Sequence, residues 1–305
     1  MNYKLFNPLA IRELGRRQNQ EDNIYPAMGE ATPDDRLFIV CDGIGGHEKG
    51  EVASNLVCQS ISQYFQLRHV TPDQGFSDET LREALQYAYM QLDQADDGAA
   101  KKMGTTLTFL FFHRDGATMA HIGDSRIYHI RPCSSPNGGG REGAVLYQSR
   151  DHSLVFELFQ AGEITYDEMR TSPLKNIITR ALQPGEDNRV RADVVHTTDI
   201  QPGDYFYLCT DGMLEEMEND ELVSILSTDI SDEEKLQRLI LVTADNKDNH
   251  SAYLIHIKDV IREEGDEAKP NDEATSRYNA IRLINTAPSD ANANSPEAEI
   301  VSPEK

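Results

Sequence analysis

An α+β domain over residues 1–259 is what the sequence predicts, on three observations. Short apolar runs rich in β-branched and aromatic residues recur along the chain and stop at Asp-Gly or Gly-Asp pairs. Amphipathic helical patterns stand between these runs, spaced as cover for a sheet. The periodic segments extend from about residue 5 to 258 and then cease.

Arg17, Glu21 and Asp22 lie in the polar run R-R-Q-N-Q-E-D, which Ile24 and Tyr25 follow. A strand or bulge there brings a guanidinium and two carboxylates to one edge; taken alone, that is an ordinary surface ion-pair cluster. The next strand, Leu37 to Cys41, ends at Asp42, where a carboxylate at the rim of an apolar run faces a desolvation cost on the order of several kcal/mol unless something positive meets it. Gly43, Gly45 and Gly46 then let backbone carbonyls turn toward the same point. A carboxylate beside a carbonyl suits a hard cation such as Mg²⁺ or Mn²⁺, although a solvated corner would look the same in isolation.

Helices are expected over about 51–67, from Val52, Ala53, Leu56, Val57, Ile61, Tyr64 and Phe65, and around Leu81 to Leu92, with Ser77 or Asp78 as cap. Gly104 to Phe112 and Ala117 to Ile122 form a hairpin across the Arg114–Gly116 turn, and the second strand ends at Asp124. Residues 131–143 read as a long exposed hairpin loop. Two short helical patterns broken by Gly162 and Pro173 form a flap over about 153–176, too small to bury its own core. His152 reads as a structural hydrogen-bonder as readily as a catalyst and is assigned no chemistry. Val190 to Val195 alternate. Tyr205 to Cys209 then run to Asp211, helices follow at about 219–227 and 232–243, and a last strand, Ser251 to Ile257, is entered past Asp245 and Asp248.

From Val260 the composition turns to Glu, Asp, Asn, Ala, Ser and Pro, too poor in large apolar residues to offset ordering entropy. Residues 260–305 are expected to be a disordered acidic tail, with partner docking through Tyr278 to Leu283 as a secondary reading. The net charge of −23 argues against nucleic acid and against anionic membrane as partners. Cys41, Cys58, Cys133 and Cys209 are scattered without a C-x-x-C pair, as small buried hydrophobes in a reducing compartment would be. No apolar run is long enough to span a bilayer and no signal peptide is evident, so a cytoplasmic location is expected.

Asp22, Asp42, Asp124, Asp211 and Asp248 thus all sit at or beside strand ends, with Glu21 adjoining the first. Scattered charges favour exposed helix faces, whereas carboxylates gathered at one sheet edge repel unless cations lie between them. The inference is two or more divalent ions sharing Asp42, the usual clamp for in-line displacement at phosphorus.

In order, R-x-x-Q-E-D (Arg17 to Asp22), D-G-I-G-G-H (Asp42 to His47), G-T-T (Gly104 to Thr106), G-D-S-R (Gly123 to Arg126), I-T-R-A-L (Ile178 to Leu182), C-T-D-G (Cys209 to Gly212) and D-N-H-S (Asp248 to Ser251) resemble the motifs of the bacterial metal-dependent serine/threonine protein phosphatases, the protein phosphatase 2C type. The resemblance covers roughly residues 5–258. It implies a four-layer α/β/β/α sandwich of two antiparallel sheets with a metal channel at one end. It also implies that Asp42 bridges two Mn²⁺ or Mg²⁺ ions, that Asp211 and Asp248 complete one site, and that the Gly43 carbonyl, with Glu21 and Asp22 directly or through water, serves the other. Asp124 with Asp211 resembles the pair that holds a third, weaker ion. Arg17 would grip the substrate phosphate as a bidentate donor.

The reaction so implied is attack of metal-activated water on phosphoserine or phosphothreonine of proteins phosphorylated by a serine/threonine kinase, in a signalling role, by a monomer. Relatives that place a His directly after the D-G pair differ from this chain, which has Ile44 there. His47 close by, or a water on the metal, would protonate the leaving oxygen. The alternatives are a catalytically silent phosphatase-like domain that regulates partners by binding, and a calcium-binding acidic module. The latter is disfavoured by the lack of a D-x-D-x-D-G loop with a distal Glu.

Overall fold

Burial of all five residues from Leu37 to Cys41 follows from apolar layers on both faces of this strand. Leu37, Ile39 and Cys41 point one way and Phe38 and Val40 the other, as the two-residue period of a strand dictates. The computed structural model describes residues 1–44, 49–98, 100–132 and 143–262. In it this strand belongs to a five-stranded antiparallel sheet, in the order β11 (Asp193–Thr197), β8 (Gly116–Ile122), β7 (Leu107–His113), β4 (Leu37–Cys41) and β3 (Asn23–Tyr25). The second antiparallel sheet runs β1 (Asn2–Leu5), β13 (His250–Ile261), β12 (Tyr205–Cys209), β9 (Arg126–Pro132) and β10 (Gly143–Gln148), with β2 (Leu9–Glu13) also paired to β13. A two-residue pair, β5 (Gly43–Ile44) and β6 (Gly104–Thr105), stands apart.

Three apolar layers join these parts. Phe38, Leu110, Phe112, Phe206, Tyr253 and Ile255 fill the space between the sheets, where the Phe112 and Phe206 rings meet edge-on at 5.2 Å. On the far side of the first sheet, Ile39 and Phe109 pack under α1 (Lys49–Leu67) and α2 (Asp78–Ala95). On the far side of the second, Tyr128 and Tyr207 pack under α5 (Asn219–Ser227) and α6 (Asp232–Thr243). The result is the expected four-layer sandwich of two antiparallel sheets between helix pairs. The intervening segment carries α3 (Leu154–Gln160) and α4 (Tyr166–Thr171), capped by Ser153 and by the Thr165–Glu168 capping box.

Helix positions follow the sequence closely. Ser77 caps α2 by accepting from the Thr80 amide, and α5 and α6 fall at 219–227 and 232–243 as periodicity places them. Two differences stand out. The short edge strands β1 and β2 carry only a weak alternation over four and five residues and gain their ladder from β13. That last strand also runs to Ile261 rather than Ile257, since Asn2 to Lys4 pair with Ile261 to Asp259. Of the loop expected over 131–143, Arg131 and Pro132 belong to β9 and Gly143 to β10, and of the tail expected from 260, Val260 and Ile261 belong to β13, because each has a ladder partner; residues 133–142, with Cys133, and those from 263, with Tyr278 to Leu283, lie outside the described residues.

Registers decide where function can sit. In one sheet Cys209 pairs with both Arg126 and Ala252; in the other, Asn23 pairs with Cys41 and Leu107 with Ile122. The chain therefore leaves both sheets at one end through Asp22, Asp42, Asp124, Asp211 and Asp248. At the other end of β12, Asp204 is buried between partners. His129 Nε2 lies 2.8 Å from it, Arg131 donates to it at 2.7 and 2.8 Å, and the Gln201 amide donates at 2.9 Å. Burial disfavours its charge, but the hydrogen bonds from Arg131 and His129 outweigh burial and hold the carboxyl below its ordinary range. Asp204→Ala should destabilise the fold by about 3–5 kcal/mol in urea melts, the usual cost of stripping a buried ion pair of one partner.

Candidate metal centre

Asp42 is locked at its backbone. Its amide donates to Thr106 Oγ1 at 2.9 Å, and its carbonyl accepts from the Thr106 amide at 2.9 Å and from Thr105 Oγ1 at 2.8 Å. The β5–β6 pair therefore fixes where this carboxylate projects. Gly43 follows because nothing larger fits: a Cβ there would stand 2.2 Å from the Gly50 carbonyl oxygen and 2.6 Å from that of Glu21. Its amide donates to the Glu21 carbonyl at 3.2 Å, tying the D-G turn to the first acidic pair.

Glu21 and Asp22 are held by residues from the far end of the chain. The Glu21 amide donates to Asn249 Oδ1 at 2.8 Å, and Asp22 Oδ2 accepts from Thr210 Oγ1 at 3.0 Å. Arg12 on β2 clamps the Asp22 carbonyl through Nε at 3.1 Å and Nη2 at 2.9 Å. The Asn249 side chain also donates to the Leu14 carbonyl at 2.9 Å, and the Arg16 amide to the Lys247 carbonyl at 3.0 Å. The turn bearing Arg17 thus rests on the segment bearing Asp248, and Arg17 Nη2 reaches Asp248 Oδ2 at 2.5 Å. Asp245, the rival to Asp248 in the sequence, has a side chain 97% exposed and pairs with Arg16.

These acids crowd one another. Asp22, Asp124 and Asp211 each keep a buried carboxylate oxygen without a hydrogen-bond partner, which costs about 1–3 kcal/mol or more apiece for a charged group. The carboxyl of Asp42 is pushed well above its ordinary range by burial and then by the charges of Asp22, Asp211 and Asp124. Burial pushes Asp22 up to about 7, with Asp211 and Asp248 adding and the Thr210 hydroxyl opposing. Asp124 and Asp211 are raised by burial first and by neighbouring carboxylates second, and burial also raises Glu21 despite Arg17. Orphaned anionic oxygens facing one another are a donor set for hard cations, and bound cations would reverse every one of these shifts.

The structure brings Asp22, Asp42, Asp211 and Asp124 together, with Asp248, Glu21 and Arg17 at the rim. His47, with Gly45 and Gly46, lies outside the described residues. Thr105, Thr106, Thr210 and Arg12 are supporting residues that sequence reasoning left without a role, although all but Arg12 lie inside the quoted motifs. Among the described residues, the one trio of His, Cys, Asp or Glu side chains with donor atoms all within 4.8 Å of one another is elsewhere, at His121, His152 and Asp193. The acidic cluster is therefore wider than one small cation's ligand shell. Cys41, Cys58 and Cys209 are free and buried. No helix among the described residues is long and apolar enough to cross a membrane.

Residues 14–243 match the family model described as protein phosphatase 2C. A putative protein phosphatase 2C-type protein of Streptococcus pyogenes is 34% identical over 225 residues, covering 72% of this chain and 85% of that protein. The crystal structure of the Mycobacterium tuberculosis serine/threonine phosphatase PstP/Ppp superposes with a TM-score of 0.67 at 27% identity, covering 83% of this chain and 99% of that one. A structure of the PstP catalytic domain in complex with two manganese ions gives a TM-score of 0.65 at 28% identity, covering 85% of this chain and 100% of that one.

Proposed function

Because the chain belongs to the protein phosphatase 2C family, and is with it a metal-dependent serine/threonine protein phosphatase, we propose that the acidic cluster around Asp42 holds two Mn²⁺ or Mg²⁺ ions and a weaker third. The observation that carries this is the set of buried, unpartnered carboxylate oxygens on Asp22, Asp124 and Asp211 gathered about Asp42. In this reading Asp42 would be shared between two ions. Asp211 and Asp248 would complete one site, Glu21, Asp22 and the Gly43 carbonyl would serve the other, and Asp124 with Asp211 would hold the third. When bound, the cations supply a water acidic enough to act near neutral pH and neutralise charge on the phosphoryl group. Two manganese ions in the PstP structure support the choice and number of ions.

The chain's own residues bind and orient. Thr106 fixes the Asp42 backbone and Thr210 the Asp22 carboxylate, while Arg17, whose side chain is 55% exposed, stands at the rim with a planar pair of donors suited to a phosphate. Its present partner Asp248 is a proposed ligand, so a cation there leaves the guanidinium available to substrate. Arg17→Lys keeps the charge and loses the fork. We expect kcat/KM on a phosphothreonine peptide to fall about tenfold, mostly through KM; unchanged kinetics would remove Arg17 from phosphate binding. His47 is our candidate for returning a proton to the leaving seryl or threonyl oxygen.

Phosphoproteins made by a serine/threonine kinase, a signalling role and action as a monomer in the cytoplasm complete the proposal. The net charge of −23 and the helix cover on both sheets support it. No observation favours a catalytically silent domain. The test is phosphate release from a phosphothreonine peptide after chelation, with Mg²⁺ or Mn²⁺ restored, for the parent and Asp211→Ala. Turnover should require the ion and drop at least about a hundredfold in the variant. Turnover without metal, or none with either ion, would contradict the proposal.

A further inference from the structure

His121, His152 and Asp193 gather as a transition-metal site would, yet their hydrogen bonds say otherwise. The Gly123 amide donates to His152 Nδ1 at 3.1 Å, so that nitrogen offers its lone pair and the ring's proton sits on Nε2. Nε2 faces Asp193 Oδ2 at 3.3 Å, and Arg180 Nη1, which donates to Asp193 Oδ1 at 3.1 Å, passes 3.3 Å from Nε2, a nitrogen whose proton leaves it no lone pair to accept with. A metal ligand would need a bare Nε2 as well, and Arg180 already fills the cation's place. His121 packs its ring on His152 at 4.6 Å and anchors Nε2 on the Arg150 carbonyl at 2.7 Å.

The trio instead holds a turn. Both backbone groups of Gly123 end on His152, the amide on Nδ1 and the carbonyl on the His152 amide at 2.9 Å. The His152 carbonyl accepts from the Thr179 amide at 2.8 Å, and the Leu154 amide donates to the Ile177 carbonyl at 2.9 Å, so the two roots of the α3–α4 flap close on each other here. Gly123 has φ of +102°, and a Cβ would stand 2.6 Å from the Thr106 side chain; the turn has one conformation to adopt. Its next residue is Asp124, buried, with one carboxylate oxygen unpartnered. Ser125 then joins Thr106 Oγ1 at 2.6 Å, the hydroxyl that receives the Asp42 amide. Asp124 is thereby suspended between Asp42 on one side and the flap root on the other.

We propose that His152 is a positioning residue for Asp124: it fixes the Gly123–Asp124 turn through Nδ1, is itself fixed by Asp193 through Nε2, and so couples occupancy of the third cation site to seating of the flap. This rests on the reading of Asp124 as a cation ligand. Residues behind a ligand commonly change metal affinity by about 10–100-fold when lost.

Two substitutions separate the ring's two atoms. His152→Asn retains an acceptor near Nδ1 for the Gly123 amide, whereas His152→Gln retains a donor toward Asp193 and loses that acceptor. Calorimetric titration of the metal-free full chain with Mn²⁺ should show a weak site that Asp124→Asn removes. In His152→Gln that site should weaken at least about tenfold with the tighter sites within about twofold, and His152→Asn should stay within about threefold of the parent. A weak site equal to the parent's in His152→Gln, or equal weakening in both variants, would overturn the proposal. Hydrogen exchange on the parent decides independently of whether a variant folds: filling the weak site should slow the amides of His152, Leu154 and Thr179, and no change there would also overturn it. If instead Asp124→Asn leaves Mn²⁺ binding untouched, the ligand reading of Asp124 is what has failed, and this inference falls with it.

Discussion

Asp42→Asn should make the metal-free protein more stable while abolishing phosphate release. The carboxyl of Asp42 is raised by burial and then by Asp22, Asp211 and Asp124, so folding the metal-free chain at neutral pH either buries its charge among like ones or forces a proton onto it. An amide of the same shape removes that repulsion and can donate to Asp211, against whose carboxylate Asp42 lies. A gain on the order of 2–3 kcal/mol is expected, or about 5 °C or more in Tm. Activity should fall at least about a thousandfold, because the shared ligand is gone. With saturating Mn²⁺ the order reverses and the parent becomes the more stable. Calorimetry in chelator and in Mn²⁺ reads both signs; a variant less stable than the parent under both conditions would show that the carboxylates do not strain the fold.

At a fixed free concentration, Mn²⁺ should stabilise the protein more as pH rises from about 4 to about 7. Asp22 stands at about 7 in the folded chain against 3.8 ordinarily, raised by burial and then by its acidic neighbours. A folded-state pKa above the unfolded one gives stability that is present in full below the unfolded value and lost as pH rises through the folded one. Metal-free, this contribution therefore disappears toward neutrality, by about 4 kcal/mol over the three units. Cation binding must displace that proton, so the benefit of Mn²⁺ grows by about 1.4 kcal/mol per pH unit for each proton displaced. Burial pushes His113 and His121 down to about 4, which gives total stability the opposite slope in this window, but their contribution is common to both conditions and cancels in the difference. Asp193, lowered to about 2 by its hydrogen bond from His152, acts only below about 4. Urea melts with chelator and with Mn²⁺ measure the difference, and a constant or shrinking benefit would contradict the expectation.

What could be read from the sequence was whatever local physics enforces. The five-residue run into Asp42 and its counterpart into Asp211 announce themselves, because an apolar strand that ends in a carboxylate is locally costly. The spacing of Leu222, Leu226 and Leu239 defines helices whatever they pack against. The edge strands β1 and β2 did not show, since four or five residues of weak alternation are indistinguishable from loop until β13, some 240 positions away, supplies the ladder. The support behind the acids was hidden for the same reason. Thr210 meets Asp22 across 188 residues and Thr106 meets Asp42 across 64, and a threonine carries no mark of its future partner. His152 lay in view without a meaning, because its tautomer is set by an amide that only the folded turn presents.

Anomalous scattering from Mn²⁺-soaked crystals tests most directly whether these buried carboxylates share cations. Two peaks should flank the Asp42 carboxylate, one of them within coordination distance of both Asp211 and Asp248. Peaks found only at other positions, such as beside His121, His152 and Asp193, would contradict it.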